Sequence, residues 1–306
     1  MIKRRILAVQ TERYQKLPTW LVVLVACVMV YAFFIVGSLV SEVFLKTVTS
    51  LAMLLNSGLR ANIDAFKNSS LGGLVNFPFI SLSLFAWVKW YEKRPIRSLG
   101  FFKGQVFLEL AKGWFIGTFL FSITLGLSYL LGGVELHSVD FSFKTLEFLV
   151  FSIPFWLLQS GTEELLTRGW LLPILARRTH LAIAIIVSSS LFGIMHLSND
   201  NINFYSVLSI IVVGVFLALY MLKTDNIWGV AGIHGAWNFT QGNIFGISVS
   251  GTEAGPSLMR FGQKAGTPDW ISGGAFGIEG SLIASLVILV ATVYMAWQLV
   301  KKEHKV

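Results

Sequence analysis

Seven stretches of this chain run for more than twenty residues without Asp, Glu, Lys or Arg: residues 17–41, 68–88, 113–134, 179–199, 201–222, 226–252 and 280–300. A bilayer core about 30 Å thick takes roughly 20 apolar residues at 1.5 Å rise each. Lipid offers no partner to a backbone N–H or C=O, so such runs must satisfy themselves as helices. An eighth apolar stretch starts at Phe148, is cut by Glu163, Glu164 and Arg168, and resumes over residues 169–176. The chain is therefore expected to be all-α, a polytopic membrane helical bundle with about eight transmembrane helices.

Composition agrees. Only 13% of the 306 residues are charged, about half the roughly 25% of a soluble domain. With 55% hydrophobic residues, including 25 Phe and 10 Trp, the apolar excess must face lipid. Disorder and disulfide scaffolds are excluded, because Cys27 is the single cysteine and can form neither an intrachain bridge nor a thiolate zinc cage. The net charge of +8 is read as loop topology rather than as nucleic-acid binding, since Lys and Arg accumulate on the cytoplasmic side. Lys3, Arg4, Arg5, Arg13 and Lys16 precede the first span; Lys301, Lys302 and Lys305 follow the last. Both termini read as cytoplasmic, with Lys93, Arg94, Arg97, Lys103, Arg177 and Arg178 inside and Glu135 and Asp140 outside. The Leu24-Val25-Ala26-Cys27 segment resembles a lipoprotein cleavage box, but the apolar run continues past it, which favours a retained anchor. No repeat or linker divides the chain, so residues 1–306 are expected to form a single integral membrane domain. Residues 47–67 read as an interfacial helix or an external loop, and the glycine-rich residues 250–280 as a long external loop.

Ionisable groups inside spans cost about 2.5–3.5 kcal/mol each on insertion scales, so they call for a partner or a task. Three motifs carry them: Glu163-Glu164-x-x-x-Arg168, Phe192-x-x-x-His196 and His234-x-x-x-Asn238. Each places an i,i+4 pair on one helix face, and Glu163 points about 100° away from Glu164. Glu163 lies 15 residues before Arg178 and His196 lies 17 after Thr179. Across a helical hairpin both therefore reach a depth of roughly 23–26 Å. His234 and Asn238 enter from the same side to about 16 and 22 Å. His180 and His137 have no such company and read as surface residues.

A carboxylate and an imidazole sharing a water can deprotonate it, while a second imidazole and an amide can donate to a developing oxyanion. That set suits peptide hydrolysis. Neither G-x-S-x-G nor H-E-x-x-H occurs. Glu163, His196 and His234 could alternatively supply three ligands to a divalent metal such as zinc. Glu164 with Arg168 reads as a supporting ion pair, and Phe192 as packing that holds His196 in its rotamer.

At these residues the sequence resembles the CPBP intramembrane proteases, also called the CAAX protease or Abi family, which includes the type II CaaX prenyl endopeptidases. Their E-E-x-x-x-R, F-x-x-x-H and H-x-x-x-N/D motifs are matched in order, and the resemblance covers residues 148–251, the expected catalytic motif core. The stretch 273–280 looks like the glycine-rich segment common in bacterial members. The resemblance implies an intramembrane endopeptidase in a bacterial plasma membrane, acting on a hydrophobic peptide or membrane-associated protein terminus. It assigns Glu163 as activating base, His196 as its partner, and His234 and Asn238 to the oxyanion, with Glu164 and Arg168 supporting the site. The competing readings are a non-catalytic bacteriocin-immunity or scaffolding protein on the same fold, and an ion or proton-coupled transporter.

Overall fold

A computed structural model describes residues 4–8, 12–102 and 104–303. Lys3, Lys103 and Lys305, three of the basic residues flanking the spans, lie outside the described residues. The first long helix, α1 (Thr19–Leu55), has 37 residues and is about 55 Å long at 1.5 Å per residue, well beyond a bilayer core. It thereby accounts for residues 47–55, which prolong α1, whereas α2 (Arg60–Lys67) is a separate helix with no buried side chain.

After the short α3 (Ser70–Gly73), α4 (Phe77–Ala86) continues through a π-helical turn to Tyr91, and α5 (Val106–Leu130) follows. Beyond β1 (Val134–Val139), α6 (Phe143–Glu164), a π-helical stretch at Leu165–Leu171 and α7 (Leu172–Arg178) succeed one another without a break. Then come α8 (Leu181–Met195), α9 (Phe204–Thr224), α10 (Trp228–Phe239), β2 (Met259–Gln263), α11 (Asp269–Ser272) and α12 (Leu282–Glu303).

The chain is nearly all helical, and among the described residues five helices are long and apolar enough to cross a membrane: Thr19–Leu55, Ser70–Tyr91, Val106–Leu130, Phe204–Thr224 and Leu282–Lys301. The other three runs fall on the charge-bearing α6–α7 rod, on the 15-residue α8 and on the 12-residue α10. Two departures from the sequence reading stand out. The fold is not purely α, because β1 and β2 pair antiparallel with a bulge between Leu136 and Ser138. The segment 250–280 is correspondingly not an irregular loop; the backbone groups of 259–263 find their partners in β1, as unpaired peptide groups generally must.

The loops gather into two sets. At one end the N-terminal segment meets the basic loops: Arg5 Nε pairs with Asp225 at 2.9 Å, Arg178 donates to the Leu17 carbonyl, and Tyr14 Oη donates to Glu92 at 3.0 Å. At the other, β1 meets β2, the Asp140 N–H donates to the Leu258 carbonyl at 2.9 Å, and Asn199 Nδ2 donates to the Ser250 carbonyl at 3.0 Å. Large apolar side chains such as Trp20, Phe107, Phe115 and Val290 stay exposed around the bundle, the surface that lipid would cover.

Helix α10 runs through the centre, with every residue from Gly229 to Phe239 buried. Its approach to α5 explains this burial. A Cβ on Gly113 would stand 2.2 Å from the Gly229 carbonyl oxygen, and one on Gly117 2.2 Å from that of Ile233. The spacing Gly113-x-x-x-Gly117 thus lets two backbones touch, a membrane packing device. Gly169, Gly193 and Gly235 also sit in tight contacts, but Gly161 does not, its nearest neighbour lying at 3.9 Å.

Candidate active site

Glu163 and Glu164 end the α-helical part of the α6–α7 rod, where the backbone widens into its π-helical stretch. Such π-bulges recur at functional sites because they re-aim adjacent side chains. Glu164 and Arg168 are both fully buried and paired at 3.1 Å. The same Glu164 Oε1 also receives a hydrogen bond from His234 Nδ1 at 3.0 Å. Glu164 Oε2, Arg168 Nε and Arg168 Nη2 have no hydrogen-bond partner among the described residues. The guanidinium instead lies over the Phe192 ring, 4.4 Å from its centroid.

Glu163 Oε1 accepts from Gln159 Nε2 at 2.7 Å, while its Oε2 has no hydrogen bond to any described residue and stands 3.7 Å from His234 Nε2. His234 is thus held between two carboxylates, one at each ring nitrogen. His196 caps the end of α8, and its Nδ1 lies 2.8 Å from the Phe192 carbonyl oxygen. A carbonyl only accepts, so Nδ1 carries the proton and Nε2 is left free. Phe192 packs edge-on against both imidazoles, at 4.9 Å from His196 and 5.8 Å from His234 between ring centroids.

A cavity of about 600 Å³ is lined by Gln159, Glu163, His196, His234 and Asn238 and reaches residues 69–74, 198–200 and 249–253. It therefore opens toward the end of the bundle opposite the basic loops. A narrower cavity of about 40 Å³ lies between α8, α9, α10 and α12 and is also lined by His196, His234 and Asn238.

All four residues expected to be catalytic thus reach common walls, but their contacts differ from expectation. His196 makes no direct hydrogen bond to Glu163. Asn238 Nδ2 donates to Gln159 Oε1 at 3.0 Å and to Ser160 Oγ at 3.3 Å, so its amide is already engaged. Glu164 serves His234 as well as Arg168. Among the described residues no group of three or more His, Cys, Asp or Glu is arranged to hold a metal. The closest donors of the expected metal set, Glu163 Oε2 and His234 Nε2, make a two-residue pair, short of the three protein ligands of a catalytic zinc site. The arrangement as it stands does not fit zinc.

Two site residues escaped the sequence reading. Gln159 was legible, being a polar residue one turn before Glu163 on the same face. Glu279, which lines the narrow cavity, was not: it reads as the acidic residue flanking the last apolar run, and only the fold-back of 250–280 brings it inward.

Fold and site together define a polytopic helical membrane protein with a buried carboxylate–imidazole centre. Residues 145–240 match the family described as Type II CAAX prenyl endopeptidase Rce1-like, and the match contains all three motifs. This segment, less than half of the chain, is similar to that family, and the likeness is consistent with a CPBP/CAAX protease family. Comparison with curated proteins and with solved structures finds no match.

Proposed function

We propose that this chain is an intramembrane endopeptidase in which Glu163 activates water. The observation that carries the reading is the contrast between the two oxygens of Glu163. Oε1 is fixed by Gln159, whereas Oε2, a buried atom, has no hydrogen bond to any described residue and stands beside His234, on a side chain that lines the large cavity. A carboxylate so placed can take a proton from a water in that cavity, and the free Nε2 of His196 on the same wall gives that water a second acceptor. His234, with Nδ1–H anchored on Glu164, presents Nε2 to the cavity; in its imidazolium form that N–H donates to the developing oxyanion. Asn238 orients Gln159, and through it Glu163. It joins the oxyanion contact by exchanging its longer bond, to Ser160, for substrate.

We assign eight spans with both termini cytoplasmic, α6–α7, α8 and α10 completing the set. The gathering of the basic loops at one end supports this topology, and an even number of crossings returns the chain to its starting side. The cavity then opens on the non-cytoplasmic side, which favours a hydrophobic or membrane-associated peptide end presented there over a prenylated cytoplasmic terminus.

The test is hydrolysis of a hydrophobic peptide library by the protein purified in detergent, read by mass spectrometry. Wild type should cleave, and Glu163→Gln should lose about 10²–10⁴-fold in rate while staying folded. Full activity in Glu163→Gln would refute the mechanism. A folded wild type inert toward every peptide would favour the scaffolding reading.

A further inference from the structure

The two cavities share His196, His234, Asn238 and Ser250; the wide one is lined by the carboxyls of Glu163, Asp200 and Glu253, the narrow one by that of Glu279. Glu279 belongs to none of the three motifs and lies outside the matched segment 145–240. It sits in the single turn Ile278–Gly280 that precedes α12.

Its setting is unusually defined. Oε1 accepts the backbone N–H of Ser250 and, at 3.1 Å, the Ser250 hydroxyl. Oε2 has no hydrogen bond to any described residue. Ser250 is itself held in a left-handed conformation, φ +50°, a cost that loops near functional sites recurrently carry. Asn199 fixes its carbonyl, and the Gly251 N–H bonds the Phe276 carbonyl at 2.8 Å. One oxygen of Glu279 is therefore clamped, and the other is unbonded on a carboxyl that lines the cavity. His196 faces it from the end of α8 and His234 from α10, while α9 and α12 present uncharged groups such as Ser209, Phe216 and Ile288. Burial pushes the Glu279 carboxyl above the usual carboxylate range, opposed by the Ser250 bonds and by His196 and His234. Environments that set two carboxyls of one site apart are how acid and base roles are divided.

Resting on the hydrolase reading above, we propose that Glu279 is the acid that protonates the leaving amine, on the other side of the histidine pair from Glu163. Glu163 takes a proton from water as the water oxygen bonds to the scissile carbonyl carbon, and the carbonyl π pair moves to its oxygen. On collapse that pair re-forms the C=O bond, the C–N bond breaks with its electrons going to nitrogen, and nitrogen takes the proton from Glu279 Oε2. The proton left on Glu163 returns to Glu279 as products depart, so both carboxyls are reset and no further reactant is needed.

The experiment compares an amide with an activated aryl ester of the same acyl peptide, because an aryloxide leaves without protonation. Glu279→Gln keeps an acceptor for Ser250 but has no acidic proton. It should lose roughly 10²-fold or more on the amide and only a few-fold on the ester, whereas Glu163→Gln should lose both. Equal losses on the two substrates, or an unchanged amide rate, would overturn the assignment. The wild type offers a second reading should the variant not fold: any alkaline limb set by the His234 imidazolium is shared by both substrates, and amide hydrolysis should show a further fall, absent from the ester, as pH rises through the raised Glu279 pKa. Identical pH profiles for the two substrates overturn it equally. A wild type that cleaves neither substrate instead refutes the hydrolase reading on which the role rests.

Discussion

Replacing Glu164 by Ala should destabilise the protein far more than replacing its neighbour Glu163. Glu164 and Arg168 are both 0% exposed, and Arg168 Nε and Nη2 already have no hydrogen-bond partner among the described residues. Glu164→Ala therefore leaves a guanidinium buried with no carboxylate within bonding distance and also removes the anchor of His234 Nδ1. Breaking one side of a buried pair costs about 3–5 kcal/mol. Unfolding entropies near 2.1 cal/mol/K per residue give about 0.6 kcal/mol/K for a chain of this length, so the melting temperature should drop by about 5–8 °C. Glu163→Ala deprives Gln159 of an acceptor, but Gln159 lines the large cavity, where water can replace it. The cost is about 1 kcal/mol, or about 2 °C. Thermal unfolding in detergent, followed by tryptophan fluorescence, measures the difference. Adding Arg168→Met to Glu164→Ala should recover part of the loss. Equal melting temperatures for the two single variants, or no recovery in the double variant, would refute the reasoning.

Reporter fusions after Lys103 and after Lys305 should both report cytoplasm and one after Lys264 the opposite side; a reversed signal at any of the three overturns the proposed topology. For the mechanism without metal, chelators should leave activity and melting temperature nearly unchanged. Close to one equivalent of bound transition metal, lost together with activity in His196→Ala, would reverse that expectation.

Much of this architecture was legible because lipid makes hydropathy a strong constraint: every charge-free run maps onto a helical element, and i,i+4 spacing put Glu164 beside Arg168. Depth arithmetic along antiparallel helices brought Glu163, His196 and His234 to one layer. Contacts decided by side-chain rotation were not legible. Nothing in the spacing says that His234 bridges both glutamates, or that the Asn238 amide turns toward Gln159 and Ser160. The β1–β2 pair was hidden for a different reason. Its strands are 120 residues apart, comparing Val139 with Met259, and each alternates only briefly, over Val134-Glu135-Leu136-His137 and Met259-Arg260-Phe261, too short a run to mark a strand beside the long charge-free helical stretches. Glu279 was hidden in the same way, its role resting on a long-range fold-back that Gly251 and Gly277 permit by close approach: a Cβ on either would stand about 2 Å from a backbone oxygen, 2.2 Å at Asp200 and 2.1 Å at Ser248.

The buried Glu164–Arg168 pair bears on why the site has two adjacent glutamates at all. A buried ion pair is a poor source of stability, since well-packed apolar residues of similar volume often do as well or better. Its value here lies in geometry. Arg168 is pinned by Thr167 Oγ1 at 2.7 Å and by the Phe192 ring, so it fixes Glu164, and Glu164 Oε1 in turn fixes the His234 ring through Nδ1. Glu163, one residue earlier, is then presented to the other nitrogen of the same ring with an oxygen to spare. Glu164, fully buried with Oε1 committed to both Arg168 and His234, lines neither cavity and so cannot also meet a water there. Two consecutive glutamates about 100° apart on a helix divide those tasks, the first open to the cavity and the second committed to holding the ring.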